Sequence, residues 1–233
     1  MTARTTFDGF APKAFIFDFD GTLVDSLGLW VEVDRLFLEK HNLPQDDEYN
    51  QLITALGFEA GAAWVVDHFD IGMTADEVVQ EWIDLSQQFY EGSVELKPFV
   101  LDYIEAVRDL RFPMAIATSL QRKLLEAALK RNDVTHYFDE LCICDELASA
   151  GKLEPTVFLE AARRLSERFG TPITLSDCVV FEDTSIAARS ARQAGAYVVG
   201  VADENEITSR AELEETCDMV IGSFGELFED VRA

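Results

Sequence analysis

Basic residues are scarce. Only 19 Lys and Arg stand against 44 Asp and Glu in 233 residues, a formal net charge of −25. A protein that grips a phosphate backbone needs a cationic surface that releases counterions, so nucleic acid is excluded as the expected partner. An anionic membrane surface is disfavoured for the same reason. Long apolar runs are missing too. The first hydrophobic stretch, 14–19, is interrupted by Asp18 and followed at once by Asp20. No window approaches the roughly 18 uncharged apolar residues of a membrane span, and Met1–Pro12 has no run of signal-peptide length. The expectation is a cytoplasmic protein. Gly and Pro number only 13 and 6, beside 48% hydrophobic residues, which excludes a disordered acidic chain. The four cysteines, Cys142, Cys144, Cys178 and Cys217, are scattered. Cys142 and Cys144 would share one face of a strand, but nothing nearby completes a metal set, so buried reduced thiols are expected.

What is present is an alternation. Short apolar runs bounded by turns recur at 14–19, 114–117, 141–144, 178–181 and 197–201, as expected of parallel strands buried on both faces. Between them lie helical patterns over 100–110, over 155–169 with Gly170 as terminator, and over 184–194 with Gly195 following. This reads as an α/β doubly wound, Rossmann-like parallel sheet. One segment breaks the alternation. From Leu27 to about Glu95 only amphipathic helical pattern occurs, including a capping box at Thr74-x-x-Glu77. The organisation expected is a core of 1–26 and 97–233 with a small all-helical cap inserted over 27–96, Gly28, Gly92 and Pro98 acting as breakers. Phe58, Trp64, Phe69, Trp82 and Phe89 suit that cap's own core. His68 and His136 have no partners at metal or triad spacing.

The residues that bear chemistry begin at Phe17-Asp18-Phe19-Asp20-Gly21-Thr22. Two carboxylates at i and i+2 on the end of a buried strand raise each other's pKa, and desolvation adds to the cost. A strand that merely turns into solvent would need only the Asp-Gly step. The paired carboxylates suit another chemistry. One Asp can act as nucleophile and form an aspartyl-phosphate. The second can protonate the leaving alkoxide and then activate water. A hard divalent cation, Mg²⁺ by preference for oxygen ligands, would hold the first carboxylate ionised.

With these residues the chain resembles the haloacid dehalogenase superfamily, in its helical-cap branch of phosphoglycolate phosphatases and β-phosphoglucomutases. Four separated motifs across nearly the whole chain carry the resemblance. It implies Asp18 as nucleophile and metal ligand. It implies Asp20 as general acid/base whose backbone carbonyl meets Mg²⁺. Thr118, with Ser119 beside it, would bind the phosphoryl group. Lys152 in Gly151-Lys152-Leu153-Glu154-Pro155 would pair with nucleophile and phosphate, and Glu182-Asp183 would complete the metal shell. The family usually shows Lys-Pro-x-Pro-Asp at the third motif, where this chain has Leu153 and Thr156, and Pro-Gly where it has Pro98-Phe99. Sugar phosphomutases of the branch carry a histidine where the chain enters the cap; the matching position is Trp30.

Residues 27–95 hold 15 acidic residues against Arg35 and Lys40, so −13 of the −25 falls on the cap. A second phosphate needs cap cations to hold it, and Arg35 lies at ion-pair spacing from Glu32 and Glu39. The expectation is a Mg²⁺-dependent phosphatase acting on a small phosphorylated metabolite, such as a sugar phosphate, with no oligomer implied. A phosphomutase of the β-phosphoglucomutase kind remains open, as does a phosphoacceptor receiver module of another class.

Overall fold

The computed structural model describes residues 2–44, 59, 61–147, 151–203 and 208–229. The chain divides into two compact units, Met1–Asp25 with Glu95–Ala233, and Ser26–Val94.

The larger unit is built on six parallel strands. They are β2 (Ala14–Phe17), β3 (Met114–Thr118), β4 (Glu140–Ile143), β5 (Cys178–Glu182), β6 (Tyr197–Val201) and β7 (Met219–Ile221), in the order β4-β3-β2-β5-β6-β7. Antiparallel β1 (Thr2–Ala3) and β8 (Phe228–Glu229) form a separate two-stranded ribbon near the chain ends. Crossovers run through α4 (Val100–Asp109), α5 (Arg122–Arg131), α6 (Thr156–Phe169), α7 (Ser185–Gln193) and α8 (Arg210–Thr216). After β2 the sheet grows first through β3 and β4, then returns to add β5 on the other side of β2. That reversal places a crevice at the carboxyl ends of β2 and β5, where open α/β sheets take their ligands.

Strand periodicity divides the sheet's residues by size. Ala14, Ile16, Ala115, Ala117, Cys142, Cys178 and Val180 belong to one cluster with Val157, Phe158, Ala161 and Leu165 of α6 and Ala187, Ala188 and Ala191 of α7. Small strand side chains there let the helices approach closely. The intervening residues are large. Phe17 lies directly across from Phe181, their rings stacked with centroids 4.9 Å apart. Tyr103 of α4 meets Phe15 and Phe181 edge-on. Such pairs add about 0.5–1.5 kcal/mol beyond their buried area. All four cysteines are free and buried, and burial pushes the Cys142 and Cys178 thiols up to about 12. They fill space as small apolar groups.

Strand 14–17 is two residues shorter than the apolar run in the sequence, because the sheet stops before the carboxylates. Helix α6 ends at Gly170 in the left-handed conformation, φ 61°. The weakly patterned β7 and the terminal ribbon were not expected. The two passages of chain at the unit boundary pair with each other: Asp25 N donates to Glu95 O at 3.0 Å and Lys97 N to Leu23 O at 2.9 Å.

The smaller unit contains α1 (Leu27–His41), α2 over 61–68 and α3 (Ala75–Gly92). Thr74 and Glu77 form the reciprocal capping box that opens α3. Gly28 lies in the first turn of α1 and Gly92 in the last of α3, terminal positions where glycine costs a helix little and does not break it. Trp82 and Phe69 are buried and Trp64 and Phe89 half-buried, while Phe58 lies outside the described residues. Trp82 meets Phe37 edge-on at 5.6 Å.

Phe99, at the position where the resemblance expects glycine, is left-handed at φ 66°. For a residue with a side chain that costs about 1–2 kcal/mol, and the family's glycine has its reason here. The Phe99 ring lies against Gly225, where a Cβ would come within 2.9 Å of it. The Phe99 ring is half exposed and can partly give way, so Gly225→Ala is expected to destabilise by about 1 kcal/mol, the low end of overpacking, and to cost less in a Phe99→Gly background. Urea denaturation of the four proteins of that cycle measures the coupling, and additive effects would refute it.

Candidate active site

β2 delivers Asp18 to the crevice. Its amide donates to Phe181 O at 2.9 Å, so β5 holds the backbone one step beyond the strand. The chain then turns sharply, with Leu23 N and Val24 N both donating to Phe19 O at 2.9 and 3.1 Å. This loop carries Thr22 back over the strand end, where its hydroxyl lies 3.5 Å from Asp18 Oδ2 and 3.3 Å from Asp183 Oδ1. Gly21 is required twice. Its φ is +74°, and a Cβ there would sit 2.1 Å from Asp183 Oδ2.

β5 delivers the other two carboxylates. Glu182 Oε2 accepts from Lys152 Nζ at 2.8 Å, while its Oε1 accepts from Thr184 Oγ1 at 2.9 Å and from Thr184 N at 3.3 Å. Lys152 comes from the short helical turn Gly151–Leu153 that precedes α6, and it also donates to Asp18 Oδ1. Its ammonium lies 5.5 Å from the centre of the Phe158 ring, within cation–π range. Oxygens of Asp18, Glu182 and Asp183, all buried, lie within 4.8 Å of one another.

Thr118 ends β3, the neighbour of β2, two residues beyond the Phe17–Ile116 rung. It is buried, and its hydroxyl accepts from Leu120 N at 3.0 Å. Ser119 is exposed, its hydroxyl 3.5 Å from Cys144 Sγ. Asp20 is half-buried in the loop after β2. The structure thus brings Asp18, Lys152, Glu182 and Asp183 into direct contact or close approach, with Asp20, Thr118 and Ser119 on the adjoining loop ends. Thr22 and Thr184, to which the motif reading assigned no role, join the cluster. Their signal was position, a hydroxyl directly after Asp-Gly and another directly after Glu-Asp.

Three buried carboxylates against one ammonium is a large imbalance in a poorly solvated place. Burial and the Glu182 charge push the Asp18 carboxyl up, to about 7, against the pull of Lys152, and Asp20 adds to the push. Burial works to depress Lys152, but the charges of Asp18 and Glu182 and their hydrogen bonds override it, so the ammonium is held above the ordinary lysine value. The all-oxygen donor set and its uncompensated negative charge fit a hard divalent cation.

A family model described as haloacid dehalogenase-like hydrolase matches residues 15–201. The phosphorylated carbohydrates phosphatase of Thermotoga maritima is 27% identical over 184 residues, 78% of this chain and 82% of that protein. The probable pseudouridine-5'-phosphatase of Drosophila melanogaster is 28% identical over 202 residues, 84% of this chain and 85% of that protein. Among solved structures, a putative β-phosphoglucomutase from Thermotoga maritima superposes with a TM-score of 0.71 at 24% identity, covering 92% of this chain and 96% of its own.

The raised Asp18 has a sign that can be tested. With divalent ions chelated, the folded protein holds a proton on Asp18 that the unfolded chain, at the ordinary value of 3.8, releases. The stability this contributes is complete below pH ~4 and is lost as pH rises through about 7. Asp18→Asn should flatten that part of the profile. Denaturant midpoints of both proteins at pH 4.5, 6 and 7.5 check it, and parallel profiles would overturn the assignment.

Proposed function

The chain belongs to the haloacid dehalogenase-like hydrolase family, and from that premise we propose that it is a Mg²⁺-dependent phosphatase of a small phosphomonoester, working through an aspartyl-phosphate. The observation that carries this reading is the Asp18–Lys152–Glu182 contact beside Asp183 at the crevice of the sheet.

Asp18 is the nucleophile. Lys152 and Thr22 each engage one of its oxygens, which orients the carboxylate and holds it ready for attack on phosphorus. Asp20, half-buried two residues further on, protonates the leaving alkoxide and afterwards takes a proton from the water that cleaves the acyl phosphate. Lys152 neutralises charge on the phosphoryl oxygens together with the Thr118 and Ser119 loop. Asp18 and Asp183, with the backbone carbonyl of Asp20 and with Glu182 in the surrounding shell, would hold Mg²⁺, which offsets the negative charge of carboxylates and phosphoryl group alike.

Hydrolysis is favoured over phosphomutase action by the smaller unit itself. Arg35 is engaged by Glu32 and Glu39 at 2.7 and 2.8 Å, and Lys40 pairs with Glu81 at 2.9 Å. These are the only two Lys or Arg residues in Ser26–Val94, and both already neighbour carboxylates, so cations to hold a second phosphate are scarce there. Trp30 stands at the histidine position of the sugar phosphomutases. The substrate class proposed is a monophosphate with a neutral or cationic leaving group, sugar phosphates foremost.

Phosphate release from a metabolite panel with and without Mg²⁺ tests the reading. Neutral sugar phosphates should be cleaved only with the metal, and faster than phosphoglycolate or bisphosphates; the opposite order would sink the substrate proposal. Asp18→Asn should abolish turnover while the fold persists. Asp20→Asn should cost about 10²–10⁴ in kcat on alkyl phosphates and much less on activated aryl esters.

A further inference from the structure

Lys152 is held at its tip by Asp18 and Glu182, with Thr184 fixing the far oxygen of Glu182. A long side chain fixed only at its tip still depends on where its root lies, and here the root has lost an expected support. Leu153 stands where the family pattern has a proline, so the backbone after Lys152 lacks the φ restriction a proline ring imposes. Leu153 is itself exposed and packs little.

The support comes from another element. Ser190, on α7, is buried among Ala187, Ala188 and Ala191, on a helix face that otherwise carries only methyl groups. A buried hydroxyl on such a face must find an acceptor. It does not bond back to its own helix but donates to the backbone carbonyl of Lys152 at 2.9 Å. Helix α7 follows directly from Glu182 and Thr184. One segment, 182–190, therefore fixes Lys152 at both ends: Glu182 at the ammonium and Ser190 at the peptide.

We infer that Ser190 is a positioning residue, which by donating to the Lys152 carbonyl sets the root of that side chain so that its ammonium meets Asp18. The inference rests on the phosphatase reading only for the consequence in catalysis; the positioning itself is a matter of local structure. A neutral hydrogen bond of this kind corresponds to about a two- to ten-fold effect.

Two measurements test it. Ser190→Ala suits a face of alanines and should fold, with hydrogen exchange of a peptide spanning 151–154 accelerated two- to ten-fold while peptides from β2 and β5 are unchanged. In kinetics with p-nitrophenyl phosphate, Ser190→Ala should lower kcat/KM by a similar factor in the natural background and leave Lys152→Ala unaffected. Unchanged exchange over 151–154 overturns the inference, as does an equal loss of kcat/KM in both backgrounds, which marks a merely structural serine. A natural protein that cleaves no phosphate ester refutes the phosphatase reading instead, and the exchange experiment still decides Ser190.

Discussion

Everything about the larger unit answers to one constraint: three carboxylates are buried together, and one ammonium faces them. Left in water, Asp18, Glu182 and Asp183 would repel weakly. Removed from water to within 4.8 Å of each other, they interact through a medium that screens far less, and burial pushes Asp18 up to about 7. A buried carboxylate in such company is costly unless charges and hydrogen bonds support it. The support is Lys152, whose own burial penalty is outweighed by the charges it meets, together with two threonine hydroxyls that donate to Asp183 Oδ1 and Glu182 Oε1.

The scaffold supplies what that cluster demands. Two central strands end side by side, held in register by the Phe17–Phe181 rung, so Asp18 and Glu182 leave the sheet at neighbouring points. The alternation of small and large side chains lets α6 and α7 lie close on one face, which brings Lys152 and Thr184 to the same edge. Gly21 gives the tight turn and the empty space that Asp183 occupies. Where the chain departs from its family's pattern, the structure shows the consequence in backbone terms. Phe99 takes a left-handed conformation suited to glycine and sets its ring on Gly225. Leu153 removes a proline, and a serine on α7 bonds to the peptide that proline would have stiffened.

Much of this was legible in the residues. Apolar runs of four to six residues between turn signals marked five of the six parallel strands, because a strand buried on both faces has no polar period to hide it. The capping box at Thr74 marked the start of α3, since both partners lie within four residues. The ion pairing of Arg35 was readable from i−3 and i+4 spacing. What was not legible depended on distant partners. Strand β7 is a three-residue run, Met219–Ile221, whose identity comes from pairing with β6. The ribbon of β1 and β8 joins residues more than 220 positions apart, and no local pattern encodes it. Thr22, Thr184 and Ser190 are ordinary hydroxyls in sequence and become specific only where they end.

The residues alone determined the α/β class and the kinds of functional group available, because periodicity and motif chemistry are local properties of the chain. Which of those groups touch was decided by tertiary structure. Asp18 and Lys152 are 134 residues apart, and Thr22 and Asp183 161 apart. Their meeting follows from strand order and register, which are settled by packing the whole sheet at once. The −25 net charge could be counted from composition. That its consequential part is three buried carboxylates faced by a single lysine could be known only once the strands lay side by side.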